Sequence, residues 1–351
     1  MKIAIKYDKM TIDPDGTVAG HGAGDTLVRR LLRVFPGATL IAPRTHRYPN
    51  FDVMPVELVD AETTVVINMD VIDSAAVWQE LHASTPEPKV MNFVWWNTSR
   101  FDTEVEKATL ALSCALFPTF ANSERTATAI RDTVKRWTVQ QLAELAKISW
   151  VNLGIRLEHV MPRQEPDKPI VLYPAIYLSE RKQPQLFIDV VSKVVKRVPI
   201  TVEARLAESH LVSPLAMQLS RNRWAWVGPV TPTRRQYWEA LARTTAFLAT
   251  ARDESYGLEY IEALTSGAVG IFPDTDWAHA IVPEAYPFFY STPAQAEELL
   301  YRAVTETDAC RAEMDQSAGG SLSQWLREHH DDDAFESSIV EHVNKWFGTG
   351  Q

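Results

Sequence analysis

Two carboxylates eight positions apart, Glu254 and Glu262, mark the stretch of the chain best suited to chemistry. Glu254 falls in the turn-like run Arg252-Asp253-Glu254-Ser255-Tyr256-Gly257. Glu262 falls in an apolar-periodic segment that predicts a helix opening near Leu258. A helix starting there points its unpaired amide N–H groups, and the positive end of its dipole, back at the loop that carries Glu254. Such an end receives phosphate oxygens well. Glu262, one turn further in, reaches a second part of the same ligand.

The elements that must hold these groups are legible on either side. Thr245 to Ala249 and Ala268 to Phe272 are short apolar runs and predict buried strands. The unit is therefore strand, loop, helix, strand. The same alternation runs through the rest of the chain. Strands are expected at Lys2–Tyr7, Ala38–Ala42, Thr64–Met69, Val90–Trp95, Ile170–Tyr173 and Ile200–Glu203, and helices at Thr26–Val34, Ser74–His82, Gln185–Arg197 and Thr233–Thr244. Strands alternating with helices imply parallel sheets covered on both faces. Ligands of such sheets gather beyond the carboxyl ends of the strands.

The central stretch resembles the retaining glycosyltransferases of the GT-B fold, most closely the large family 4 group, whose motif is written E-x-F-G-x-x-x-x-E-A. Glu254, Tyr256 in the aromatic slot, Gly257, Glu262, Ala263 and the later Gly267 carry the match. The resemblance implies an α/β chain of two Rossmann-like domains with a cleft between them, and a last helix that crosses back to the first domain. It also implies a nucleotide-sugar co-substrate, UDP- or GDP-linked, with no cofactor and no metal. On this resemblance Glu262 holds the nucleotide ribose, and Glu254 meets the sugar and stabilises charge at its anomeric carbon. Tyr256, Gly257 and Leu258 then lie at the donor.

Other segments match more loosely. The loop Pro174–Gln183 resembles the family's G-R-L-x-x-x-K-G turn. Lys182 stands in the Lys slot, Ile176 and Tyr177 replace the Gly-Arg pair, and Arg181 can compensate as a second cation for the leaving diphosphate. Trp224–Val230 resembles the V-x-F-x-G-x-V strand, which makes Gly228 a candidate at the nucleotide. The loop Gly20–Asp25 carries three glycines, so Gly22 and Gly24 are candidates at the cleft beside His21, with Asp25 as a helix cap. Trp96 and Asn97 occupy a slot where the family often has a sugar-contacting His, which this chain lacks. Asn122, before the N-cap candidate Ser123, is a further residue on the acceptor side. In the predicted helix Thr233–Thr244, Tyr237, Trp238 and Leu241 are expected to be core.

At 351 residues the chain suggests about two domains. The resemblance divides it into residues 1–160 (acceptor side), a Pro-rich linker at 161–168, residues 169–335 (donor side) and a last helix at 336–351. The net charge of −10 argues against a broad nucleic-acid surface. No apolar run reaches spanning length, and Met1–Lys6 alternates as a strand does, so no leader is expected. Cys114 and Cys310 are expected to be buried, reduced thiols of a cytoplasmic protein. Asp331-Asp332-Asp333 is expected to be a solvated turn, not a metal site.

The expected activity is metal-independent sugar transfer with retention, to an acceptor the sequence does not identify. Two other functions fit less of the sequence. One is a non-catalytic nucleotide- or sugar-binding protein of the same fold. The other is a glycosyltransferase for modified bases in DNA, which the acidic charge disfavours. The sequence is compatible with a homo-oligomer and does not require one.

Overall fold

The computed structural model describes residues 1–20 and 22–348. Fourteen strands lie in two sheets among those residues: β1 (Lys2–Lys6), β2 (Thr39–Ile41), β3 (His46–Arg47), β4 (Asp52–Met54), β5 (Thr64–Asn68), β6 (Lys89–Val94), β7 (Thr119–Ala121), β8 (Ile148–Trp150), β9 (Ile170–Tyr173), β10 (Thr201–Leu206), β11 (Ala225–Pro229), β12 (Ala246–Leu248), β13 (Val269–Pro273) and β14 (Phe289–Tyr290). The first sheet runs β3-β4-β2-β1-β5-β6-β7-β8 and the second β11-β10-β9-β12-β13-β14. Every pairing is parallel except β3 with β4.

The strands fold this way because they are apolar on both faces. All five residues of β5 are buried, as are all three of β7 and of β12. A parallel strand covered by helices on each side has no solvent face to reward polar residues. The exceptions are tied to one another. Asn68 and Asn92, both fully buried, join Ser74, which donates from its Oγ to Asn92 at 2.6 Å; Asn92 donates in turn to Thr119 at 3.1 Å. Buried amides are tolerated because each finds partners, and this network ties the turn after β5 to β6 and to the start of β7.

In each sheet the winding direction reverses once. In the first, the chain builds outward from β1 on one side and from β5 on the other. In the second, β9 and β12 flank the reversal. The carboxyl ends at such reversals are where open α/β sheets leave a crevice.

The chain divides into two compact units, Met1–Asn152 with Asp333–Gln351, and Leu153–Asp332. The first unit thus stops eight residues short of the expected boundary at 160. Leu153 and Ile155 are buried, and the Ile155 amide donates to the His330 carbonyl at 2.8 Å, which commits this strand of chain to the second unit. The Pro-rich run is likewise fastened down: the Gln164 amide donates to the Ala242 carbonyl at 2.9 Å, and Glu165 pairs with Arg163 and Arg311 at 2.9 and 2.7 Å. Hydrogen bonding from Arg163 and Arg311 holds the Glu165 carboxyl down at about 2, despite an opposing contribution from burial.

The last helix, Asp332–Phe347, belongs to the first unit from Asp333 onward. Phe335, Ile339 and Val343 are its buried face; Phe335 sits 5.9 Å from Phe93 and 6.4 Å from Phe120, and Arg33 pairs with Glu336 at 2.8 Å. Asp331–Asp333 is therefore not a solvated turn. Asp332 is buried, and the helix begins on it. Helices Glu104–Leu116 and Gln140–Leu145, the second just before β8, are among those the sequence pattern does not announce. Cys114 and Cys310 are buried free thiols. No helix among the described residues is long and apolar enough to cross a membrane.

Candidate active site

The second unit gathers its polar side chains at the β9/β12 reversal. After β9 the chain runs through a single 3-10 turn, Glu180–Lys182, and then Gln183 takes a left-handed conformation with φ of 44°. Pro184 follows as the first residue of helix Pro184–Arg197, where its missing N–H costs nothing. This sharp exit turns Lys182 toward the loop after β12. The Thr250 hydroxyl donates to the Lys182 carbonyl at 2.6 Å, and the Arg252 amide donates to the Arg181 carbonyl at 2.8 Å, which locks the two loops together.

The Lys182 ammonium lies between Glu254 and Glu259. It forms a short ion pair with Glu254 and a second one with Glu259 at 2.9 Å. The Tyr260 hydroxyl donates to the same Glu254 oxygen at 2.9 Å. Burial works against the Lys182 charge, yet the charges of Glu259 and Glu254 outweigh it and hold the ammonium above its ordinary range. Burial also pushes the Glu254 carboxyl up, against the pull of Lys182. One cation thus serves two carboxylates in a largely enclosed place, with Tyr173, Ala175 and Ala251 beside it.

Helix Leu258–Thr265 opens at this cluster. Gly257, its N-cap, has φ of 89°, and a Cβ there would meet the Tyr260 ring at 2.8 Å, so both backbone and space call for glycine. The amides of Leu258 and Glu259 lie in the first helical turn, where no helical carbonyl is available to them. Arg181 is exposed at the edge of the cluster.

Glu262 has its own partners. It is 7% exposed, and its two oxygens accept from the Tyr237 hydroxyl at 2.6 Å and from Arg234 at 2.5 Å. Helix Arg234–Arg243 presents both, started by the Thr233 side chain, which accepts from the Gln236 amide. Tyr237 was expected in the core with Trp238 and Leu241. Those two are buried, but Tyr237 is only partly so, because its hydroxyl must reach Glu262.

Tyr256 is turned inward. It is 6% exposed, and its hydroxyl meets His330 Nδ1 at 2.5 Å. At a ligand it has backbone to offer, not its hydroxyl. His330 Nε2 faces the Ile281 carbonyl at 3.3 Å, so the neutral ring donates from Nε2 and accepts at Nδ1. Burial holds the imidazole down at about 4. An unfolded histidine titrates near 6.5, so between these values the unfolded chain takes up a proton that the folded chain refuses. This contribution to stability is complete above about pH 6.5 and lost by about pH 4, a fall of about 3 kcal/mol. Urea melts of the wild type and His330→Phe at pH 7 and 4.5 check this. The wild type is expected to lose more stability than the variant on acidification, and equal losses would remove His330 as the cause.

Gly228 lies on β11 opposite Arg205. A Cβ there would strike the Trp226 ring at 2.4 Å, and Trp226, 43% exposed, carries the Arg205 guanidinium 4.7 Å above it. The glycine makes room for this Trp.

In the first unit, Gly22 is the N-cap of helix Ala23–Val34. The helix starts three residues earlier than expected, so Asp25 lies inside its first turn and is not the cap. Gly24 lets Tyr7 lie against the helix start, since a Cβ would meet the Tyr7 hydroxyl at 2.4 Å. His21 lies outside the described residues. Beyond the carboxyl ends of β1, β5 and β6 a cavity of about 210 Å³ opens, with Trp96 in its wall. The other two candidates have structural work. Asn97 caps the 3-10 turn Thr98–Arg100 by accepting from the Ser99 amide at 2.9 Å. Asn122 is 1% exposed and donates to the Trp95 carbonyl at 3.0 Å, which makes it a buried brace and not a surface for an acceptor. Ser123 does cap its helix, accepting from the Thr126 amide at 3.2 Å.

Three participants escaped the sequence analysis: Glu259, Tyr260 and Arg234. Tyr260 has helical core spacing, and 1% exposure matches that, yet its hydroxyl is at the site. Glu259 and Arg234 carry no local signal that separates them from surface charges.

No protein-family model matches this sequence, and no curated protein matches it either. Solved structures do match, along nearly the whole chain. Sucrose-phosphate synthase from Thermosynechococcus elongatus superposes with a TM-score of 0.74 at 12% identity, covering 99% of this chain and 100% of that one. HepE from Anabaena, in complex with UDP and glucose, gives 0.73 at 15% identity over 98% and 99%. The trehalose-6-phosphate synthase OtsA gives 0.72 at 9% identity over 98% and 99%. At such identities the likeness is one of fold: the chain has the GT-B architecture of two Rossmann-like units.

Proposed function

We propose that this GT-B chain is a retaining glycosyltransferase that moves a sugar from a UDP- or GDP-linked donor to an acceptor hydroxyl. The observation that carries the proposal is Lys182, held at the β9/β12 reversal between Glu254 and Glu259 and beside the opening of helix Leu258–Thr265. A nucleotide diphosphate needs cationic and N–H partners as it leaves. Lys182, Arg181 and the amides of Leu258 and Glu259 supply them, with no divalent cation required. Glu254 faces the developing positive charge at the anomeric carbon, and Glu262 accepts from the ribose hydroxyls. That a similar structure holds UDP and glucose supports the class of donor. The two reduced thiols suit a cytoplasmic setting.

The test is a thermal-shift screen of the protein against UDP-, GDP-, ADP- and dTDP-linked sugars, followed by donor hydrolysis and transfer assays. A bound donor raises the melting temperature by mass action. No shift with any of them would defeat the proposal.

A second reading, a non-catalytic nucleotide- or sugar-binding protein, draws support from one observation. The more enclosed of the loop's two candidate cations, Lys182, is already neutralised by two carboxylates. Donor binding without hydrolysis or transfer would favour it.

Glu262→Gln is expected to weaken nucleotide binding by about 10- to 100-fold, the range for losing a charged hydrogen-bond acceptor. Arg234 is half exposed, so the fold should tolerate the loss of its partner. Calorimetry with the free nucleotide checks this. An unchanged Kd would separate Glu262 from the ribose.

A further inference from the structure

The first unit holds a second chemically furnished place. Its 210 Å³ cavity lies at the β1/β5 reversal, where a sheet of this kind binds ligands. Two edge-to-face aromatic pairs wall it. Tyr7 and Trp95 meet at 85° with centroids 5.9 Å apart, and Trp96 and Phe101 at 84° and 5.0 Å. Their electron-rich faces suit the C–H-bearing face of a saturated ring. The volume is below the range of about 300–1,000 Å³ typical of drug-sized ligands, so it suits a single ring.

The charges at this cavity narrow the ligand further. Asp70 follows β5, and its Oδ2 accepts from the Asp8 amide at 2.6 Å and from Lys6 at 3.4 Å. Its other oxygen has no hydrogen-bond partner among the described residues, and an oxygen of that kind receives a hydroxyl. Lys6 is shared by three carboxylates, Asp8 and Asp73 at 2.7 Å each and Asp70 at 3.4 Å. Two further cations also line the cavity, Lys9 and Arg100, both exposed. Among the described residues neither has a carboxylate partner. Arg100 instead lies over the rings of Trp96 and Phe101, at 4.9 and 5.4 Å. An aromatic cup with one hydroxyl acceptor and, at its rim, two cations that have no carboxylate partner among the described residues complements a hydroxylated ring that bears an anion.

We propose that this cavity binds an anionic pyranose, a sugar phosphate or a uronate, with Asp70 receiving a ring hydroxyl and Lys9 and Arg100 receiving the anion. In a glycosyltransferase this sugar is the acceptor, a role that rests on the function proposed above; the binding itself does not.

Calorimetry of the full chain with glucose 6-phosphate, glucuronate, glucose and inorganic phosphate tests the proposal. At least one anionic sugar is expected to bind about 10-fold or more tighter than both glucose and phosphate. The preferred one of the two tells phosphate from carboxylate. Arg100→Gln and Lys9→Gln, both at exposed positions, are each expected to weaken that sugar about 10-fold and leave glucose unchanged. Equal binding of glucose and both anionic sugars would overturn the proposal, as would phosphate binding as tightly as its sugar ester. Indifference to both substitutions would do the same. UDP and GDP titrated into the same sample report on the donor reading separately. Anionic-sugar binding without binding of either nucleotide would leave this site standing and count against the transferase; nucleotide binding without anionic-sugar binding would remove only this site.

Discussion

Lys182→Met is expected to destabilise the second unit by about 3–5 kcal/mol, the range for removing one partner of a buried ion pair. At about 2–4 °C per kcal/mol for a unit of this size, the melting temperature falls by roughly 6–20 °C. The cost arises from what remains. Glu254 and Glu259 lose the cation between them, and Glu254 is 14% exposed with its carboxyl already pushed up by burial. In the variant that carboxyl rises further above the value of an unfolded glutamate. The folded state then holds a proton that the unfolded state releases, so the variant gains stability on acidification toward pH 5 and loses it as pH rises. Thermal melts of both proteins from pH 5 to 8 check this sign. The double variant Lys182→Met/Glu259→Gln removes the like-charge clash, and most of the lost melting temperature should return. Transfer should not return with it, because no ammonium is left for the leaving diphosphate. A Lys182→Met protein that melts as the wild type does would show that the ion-pair cluster holds nothing together.

How much of this was legible beforehand differs between fold and site. The alternation of apolar runs with helical spacing was enough for two parallel sheets, because a strand buried on both faces must be apolar throughout, as β5 and β12 are. Boundaries were harder. Helix Glu104–Leu116 begins with a capping box, Thr103 with Glu106, that stands in the sequence, but its apolar residues blend into the following strand. The domain boundary is set by Ile155 bonding to His330, which are distant in sequence, and no local pattern announces that. At the site, Glu254, Gly257 and Lys182 were legible because each sits at a turn that glycine, proline or loop charge marks out. The partners that give them chemistry were not. Glu259, Arg234 and Tyr237 lie on regular helices, where a polar residue that faces a site looks like one that faces water. Asn122 shows the converse: a polar residue at the end of a strand can be a brace turned inward.

Glu254→Gln is expected to cost catalysis without costing the fold. The amide keeps the volume, and its oxygen still accepts from Tyr260, while Lys182 keeps Glu259 as counter-ion at 2.9 Å. A melting temperature within a few degrees of the wild type follows. Turnover has no such substitute. On the proposed function, positive charge at the anomeric carbon exists only as the bond to the diphosphate breaks, so the Glu254 carboxylate would act on the transition state and its loss would fall on kcat. A drop of about 10²–10³ is expected, the size seen when one preorganised electrostatic partner of a transition state is removed. Binding should move the other way. Lys182 released from one of its two carboxylates has more charge to offer a phosphate, so UDP should bind as tightly as before or tighter. This opposition of kcat and Kd is what separates an electrostatic role from a structural one, because a disturbed site would lose both. Single-turnover transfer and UDP calorimetry on the same preparation decide it: normal turnover would take Glu254 out of the mechanism, and a parallel loss of UDP affinity would reduce it to a support for Lys182.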